Sequence, residues 1–165
     1  MILLGIDPGL CTTGYGVISA ERGKCRLLEA GIIRPKPALP LERRLLELFN
    51  GLREVIRSTL PGVMVVEEIW VGERDPSVAL VMGHARGALC LAAAAEGVPV
   101  DHLAHTTVKR ALTGSGAARK HQVKRMVIEL LDLRVTPEPD DVSDALAVAL
   151  VSANMRASSQ LGRAS

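Results

Sequence analysis

Asp7, Glu67, Asp141 and Asp144 are the residues of this chain whose types and settings best suit chemistry. Asp7 closes the apolar run Ile2-Leu3-Leu4-Gly5-Ile6 and precedes the turn formers Pro8 and Gly9. Glu67 closes a second such run, Val63-Met64-Val65-Val66. A carboxylate at the end of a buried strand is costly unless it is paired or metal-bound. Asp141 and Asp144 stand where an apolar helical pattern begins, at a spacing that shares one helix face. They also have a purely local reading, as acids favoured by the dipole of a first helical turn, with Asp140 as the cap. If the fold brings all four together, they form a dense negative pocket that requires cations. Hard divalent ions such as Mg²⁺ and Mn²⁺ prefer carboxylate oxygens. A pair of them can clamp the attacking and leaving oxygens of a phosphodiester.

The elements that must position these acids are legible from hydrophobic pattern. Ile2 to Ile6 reads as a buried strand, Gly14 to Ile18 as a second and Arg26 to Ile33 as a third. Their short connections predict an antiparallel meander. Pro35, Pro37 and Pro40 break the chain before a helix over Leu41 to Thr59, where Leu45, Leu48, Leu52 and Ile56 recur at helical spacing. Val63 to Glu67 is a fourth strand, Ser77 to Glu96 a long alanine-rich helix and Val98 to Leu103 a fifth strand. Shorter helices are predicted near Thr107 to Leu112 and over Lys120 to Leu131, and a final one from about Asp141 to Met155. The order implies an α/β fold: a mixed five-stranded sheet with helices on both faces. Strands one and four would lie side by side at its centre. Asp7 and Glu67 would then share the carboxyl end of the sheet, where open α/β sheets bind ligands.

The chain has 165 residues, 48% of them hydrophobic and only 2% aromatic. That suits one domain with an aliphatic core, expected over residues 1–156, with 157–165 a frayed polar tail. The formal net charge of +2 says little by itself. Cys11, Cys25 and Cys90 form no metal-ligand pattern and suit a reducing, cytoplasmic location. The N-terminal apolar run ends at an aspartate and does not read as a signal peptide. The apolar stretch from Ala88 to Ala95 is too short to span a bilayer, so no membrane partner is expected.

Basic residues supply the complementary half of a nucleic-acid reading. Lys120 opens a helix behind Gly114-Ser115-Gly116, whose backbone amides can approach a phosphate. The helix N-terminus adds favourable potential for that anion. These features make Lys120 a candidate to meet a scissile phosphate, while the run of Arg119, Lys120, Lys124 and Arg125 also reads as a solvated helix face. Lys109, Arg110, Arg119 and Lys124 are assigned to the DNA backbone. Trp70, the single tryptophan, either covers one end of the core or stacks on an unpaired base. Trp70 and Arg74 are the candidates for sequence preference at the cut.

Taken together and in order, these stretches resemble the RuvC family of bacterial Holliday junction resolvases, within the RNase H-like nuclease fold. The stretches are Gly5-Ile6-Asp7-Pro8-Gly9, Thr13-Gly14-Tyr15-Gly16, Val66-Glu67, Gly83-His84-Ala85-Arg86-Gly87, Val108-Lys109, Gly114-Ser115-Gly116-Ala117 with Lys120 and Gln122-Val123, and Asp141-Val142-Ser143-Asp144-Ala145-Leu146-Ala147. The likeness runs to about Val151. It implies that Asp7, Glu67, Asp141 and Asp144 form a catalytic tetrad holding two Mg²⁺ or Mn²⁺ ions. It implies a homodimer that nicks two opposed strands of a four-way DNA junction in recombination and repair. Association with a branch-migration helicase complex of RuvA and RuvB follows from the same likeness alone.

Three other readings compete. The glycine-containing turn after Ile6 also suits the actin-like ATPase and sugar kinase class, although those need a second lobe and a second phosphate turn. A non-catalytic junction-binding module predicts binding without nicking. A nuclease of RNA–DNA hybrids shares the acids and differs in substrate.

Overall fold

The computed structural model describes residues 1–68 and 76–161. Trp70 and Arg74 lie outside the described residues. In chain order the elements are β1 (Ile2–Asp7), β2 (Thr13–Glu21), β3 (Lys24–Ile33), α1 (Leu41–Thr59), β4 (Val63–Glu67), α2 (Pro76–Ala95), β5 (Val100–Leu103), α3 (His105–Thr113), α4 (Lys120–Leu130) and α5 (Asp140–Leu161). The five strands form one sheet in the order β3-β2-β1-β4-β5. β1 to β3 are the expected antiparallel meander, while β4 and β5 run parallel to β1.

Alternation along the two central strands decides which layer each helix joins. Leu3, Val63 and Val65 point to one face, packing with Val108, Val123, Val127 and Leu146 of α3, α4 and α5. Leu4, Ile6, Met64 and Val66 point to the other, against Leu48, Leu52 and Ile56 of α1 and Ala85 and Leu89 of α2. Both faces are covered, so the strands are apolar without interruption. Truncating one of these fully buried leucines to alanine costs about 2–5 kcal/mol.

α5 sits unusually close to the sheet, and glycines permit it. A β-carbon on Gly5 would come within 2.8 Å of the Ala149 nitrogen. On Gly14 it would come within 2.9 Å of the Asp141 Cβ, and on Gly16 within 2.7 Å of the Leu146 Cγ. Three missing side chains on adjacent strands thus make the trough in which α5 lies.

The structure adjusts several boundaries. β2 and β3 are longer than their apolar patterns suggest, because an edge meander continues pairing through polar residues such as Glu21 and Lys24. α5 runs to Leu161, beyond Met155, so residues 157–161 are helical where the sequence predicts a frayed tail. Leu131 faces the core and Leu130 is exposed. α2 corrects the reading of the apolar stretch near Ala88: its 20 residues are long and apolar enough to cross a membrane on length and composition. Ala85, Leu89, Ala92 and Ala93 of this helix are nonetheless buried in the protein core.

Candidate active site

Parallel pairing sets the site. Ile6 lies opposite Val66, so Asp7 and Glu67 leave the sheet at the same end of neighbouring strands. After Asp7 the chain turns through Pro8 and Gly9. The fully buried Thr13 fixes this turn: its Oγ1 donates to the Gly9 carbonyl at 2.7 Å and accepts from the Gly9 N–H at 3.2 Å. α5 arrives over the same end through its glycine trough and delivers Asp141 and Asp144. All four acids line one cleft of about 1020 Å³.

Their proximity shows in their electrostatics. Burial, and then the charges of Glu67, Asp144 and Asp141, push the Asp7 carboxyl up to about 8; Lys120 acts in the opposite sense. Burial also raises Glu67, against the lowering influence of His105. A helix start with purely local acids would not have this effect on a strand residue. The first-turn reading of Asp141 and Asp144 is therefore incomplete. Asp140 is not a free cap either: it already lies within α5, and its carboxylate accepts from Lys124 Nζ at 2.9 Å.

Two cationic or neutral nitrogens meet the acids directly. Lys120 Nζ donates to Asp144 Oδ2 at 2.9 Å, and this bond raises the lysine's pKa. His105 Nδ1 bonds Glu67 Oε1. In this arrangement no three His, Cys, Asp or Glu side chains among the described residues converge on a ready-made ion cage. The donor set still fits divalent ions in kind. Four oxygen-bearing groups crowd one cleft, and burial followed by the others' charge pushes the Asp7 carboxyl up to about 8.

The basic candidates divide. Lys109, Lys120 and Gly116 line the cleft; Arg110, Gly114, Arg119 and Lys124 are not among its lining residues. Lys124 is committed to Asp140 and, at 3.9 Å, to Glu138. Arg119 precedes α4, with its N–H donating to Gln122 Oε1 at 2.8 Å. The turn before it is less open to phosphate than its glycines suggest. Gly114 takes a left-handed φ of +80° that ends α3, and its N–H bonds the Arg110 carbonyl. Ser115 N–H is used by Thr113 Oγ1, and Ala117 N–H by Ser115 Oγ.

Sequence pattern missed His105 and the apolar wall of the cleft, formed by Leu10, Val78, Val81 and Met82. A signal for His105 existed. It follows β5 by two residues, at the same sheet end as Asp7 and Glu67.

Comparison with known proteins points the same way. A family model described as crossover junction endodeoxyribonuclease RuvC matches residues 3–152. A crossover junction endodeoxyribonuclease RuvC of Rhodopirellula baltica is 47% identical over 148 residues, covering 90% of this chain and 83% of that protein. One of Desulforamulus reducens is 45% identical over 150 residues, covering 91% of each. Among solved structures, Thermus thermophilus RuvC superposes with a TM-score of 0.87 at 35% identity, covering 96% of this chain and 97% of that one. The same species' RuvC in complex with a Holliday junction substrate gives 0.85 at 33% identity, covering 95% and 96%.

Proposed function

The chain belongs to the RuvC family of crossover junction endodeoxyribonucleases, and we propose that it resolves four-way DNA junctions by paired, metal-dependent nicks. One observation carries the reading: Asp7, Glu67, Asp141 and Asp144 line a single cleft beside Lys120. The sugar-kinase, binding-module and hybrid-nuclease readings have no comparable support.

In this reading Asp7, Glu67, Asp141 and Asp144 are the residues that would hold the ions. Two Mg²⁺ or Mn²⁺ ions bound there would lower the pKa of an attacking water and stabilise the departing 3′ oxygen. Hydrolysis at such a site would leave a 5′-phosphate. Lys120 exchanges Asp144 for the scissile phosphate and offsets the charge that develops on it. Lys109 lies along the cleft to hold a phosphate, while Arg110 and Arg119, outside it, serve the flanking backbone.

The active form is a homodimer, because a near-twofold junction presents two equivalent strands to two identical sites. The outer face of α2 supports this: Leu80 and Leu91 are 64% and 61% exposed, an apolar surface suited to a partner copy. The chain acts as one nuclease domain through the end of α5, working in the cytoplasm alongside a RuvA–RuvB branch-migration complex.

The test is nicking of a labelled four-way junction, compared with linear duplex and RNA–DNA hybrid. Asp7→Asn should abolish nicking and leave junction binding in EDTA intact. Cutting at the parental rate by Asp7→Asn, or equal cutting of all three substrates, overturns the reading.

A further inference from the structure

We propose that His105 is a positioning residue that orients Glu67 for a divalent cation, an inference that rests on the two-ion reading above. The placement follows from topology. Glu67 ends β4 and pairs in register with Leu103 of β5. The chain then passes through Ala104 straight into α3, whose first residue is His105. The imidazole therefore lands beside the carboxylate of the adjacent strand, and Nδ1 meets Oε1.

The chemistry of the pair sets its direction. A glutamate that ligates a metal is ionised and only accepts, so in that state Nδ1 donates the proton of this bond. That bond occupies Oε1, and Oε2 would be the oxygen offered to an ion. A glutamate must freeze three side-chain torsions to coordinate, and a bond already made removes part of that cost. Carboxylates that ligate metals are commonly held by such outer hydrogen bonds, whose loss costs roughly 10–100-fold in metal affinity or activity.

His105 also differs from the other nitrogen in the site. Lys120 is long and its side chain is 66% exposed, so it can leave Asp144 for a phosphate. His105 is short and is anchored at a helix start. Its distinctive contact is Glu67 itself, whose side chain is only 15% exposed.

The test uses His105→Ala, His105→Asn and His105→Gln in the full chain. Asparagine places an amide nitrogen where Nδ1 stands, and glutamine carries it one carbon further. Mn²⁺ binding without DNA is followed by electron paramagnetic resonance, with melting in EDTA as the check on folding. His105→Ala and His105→Gln should bind Mn²⁺ about 10–100-fold more weakly. His105→Asn should come within a few fold of the parent, and junction binding in EDTA should be unchanged in all three. Unaltered Mn²⁺ affinity in His105→Ala overturns the proposal. So does tighter binding, which would make His105 a competitor of the ion, or an asparagine variant as impaired as alanine. Asp7→Asn is measured in parallel. If it too binds Mn²⁺ normally, the two-ion reading falls as well; if it alone loses binding, only the positioning role falls.

Discussion

Gly14 on β2 lies so close beneath Asp141 that a β-carbon there would overlap the aspartate's backbone oxygen and approach its Cβ to 2.9 Å. The acid reaches the cleft because a neighbouring strand has no side chain at that point. Gly5 on β1 does the same for the next turn of α5, beneath Ala145 and Ala149.

The trough should therefore be intolerant of any added carbon. Gly5→Ala and Gly14→Ala place a methyl group against backbone, which cannot yield as a flexible side chain can. Overpacking of this kind costs about 1–3 kcal/mol. Both variants should melt several degrees lower and nick more slowly, as α5 lifts Asp141 and Asp144 away from Asp7. Gly83→Ala, where open space surrounds the new carbon, is the control. A Gly14→Ala protein that melts and cuts like the parent contradicts this account.

Metal-free stability should fall as pH rises. The Asp7 pKa stands at about 8 in the folded protein, against 3.8 for an unperturbed aspartate. Between these values the folded state binds more protons than the unfolded one, so this group makes stability decrease with rising pH. Melting in EDTA from pH 4 to pH 8 should show that slope. Asp7→Asn should flatten it, and millimolar Mg²⁺ should raise the melting temperature more at pH 8 than at pH 5. A parental slope retained in Asp7→Asn would remove Asp7 as its source.

Lys120→Gln should separate chemistry from metal binding. Loss of one stabilising donor typically costs about 10²–10³-fold in kcat. Single-turnover nicking at saturating metal should drop by that order. Mn²⁺ affinity should hold or improve, because Lys120 no longer occupies Asp144. A variant that loses metal affinity in step with rate would place Lys120 in ion binding instead.

Junction affinity should decline steeply with salt. Each phosphate contact contributes a slope near −0.9 in log–log form for duplex arms. Lys109→Ala should weaken binding and reduce the slope by about one. Lys124→Ala should change it little, since Lys124 is committed to Asp140 and Glu138. Equal slopes for Lys109→Ala and the parent would take Lys109 off the backbone.

The exposed face of α2 predicts the assembly. Leu80→Asp with Leu91→Asp should convert a dimer to a folded monomer in sedimentation, with paired nicking reduced to single nicks. A double variant that still sediments as a dimer moves the interface to another surface.

Local pattern carried much of this protein. A buried strand that stops at an acid reads as such in one dimension, because a run of apolar residues is costly to expose and a charge is costly to bury. The bounds expected for β4 and α1 coincide with those observed. The basic start of α4 and the acidic start of α5 were equally visible. Three-dimensional packing supplied what depends on partners distant in the chain. The His105–Glu67 bond exists because β4 and β5 pair in parallel, and Lys120 meets Asp144 because α4 and α5 share a layer. Gly5, Gly14 and Gly16 read as strand glycines until the helix above them is in place. Propensity and periodicity act between near neighbours. Close approach, charge crowding and the resulting shift at Asp7 arise only when distant segments share a volume from which water is excluded.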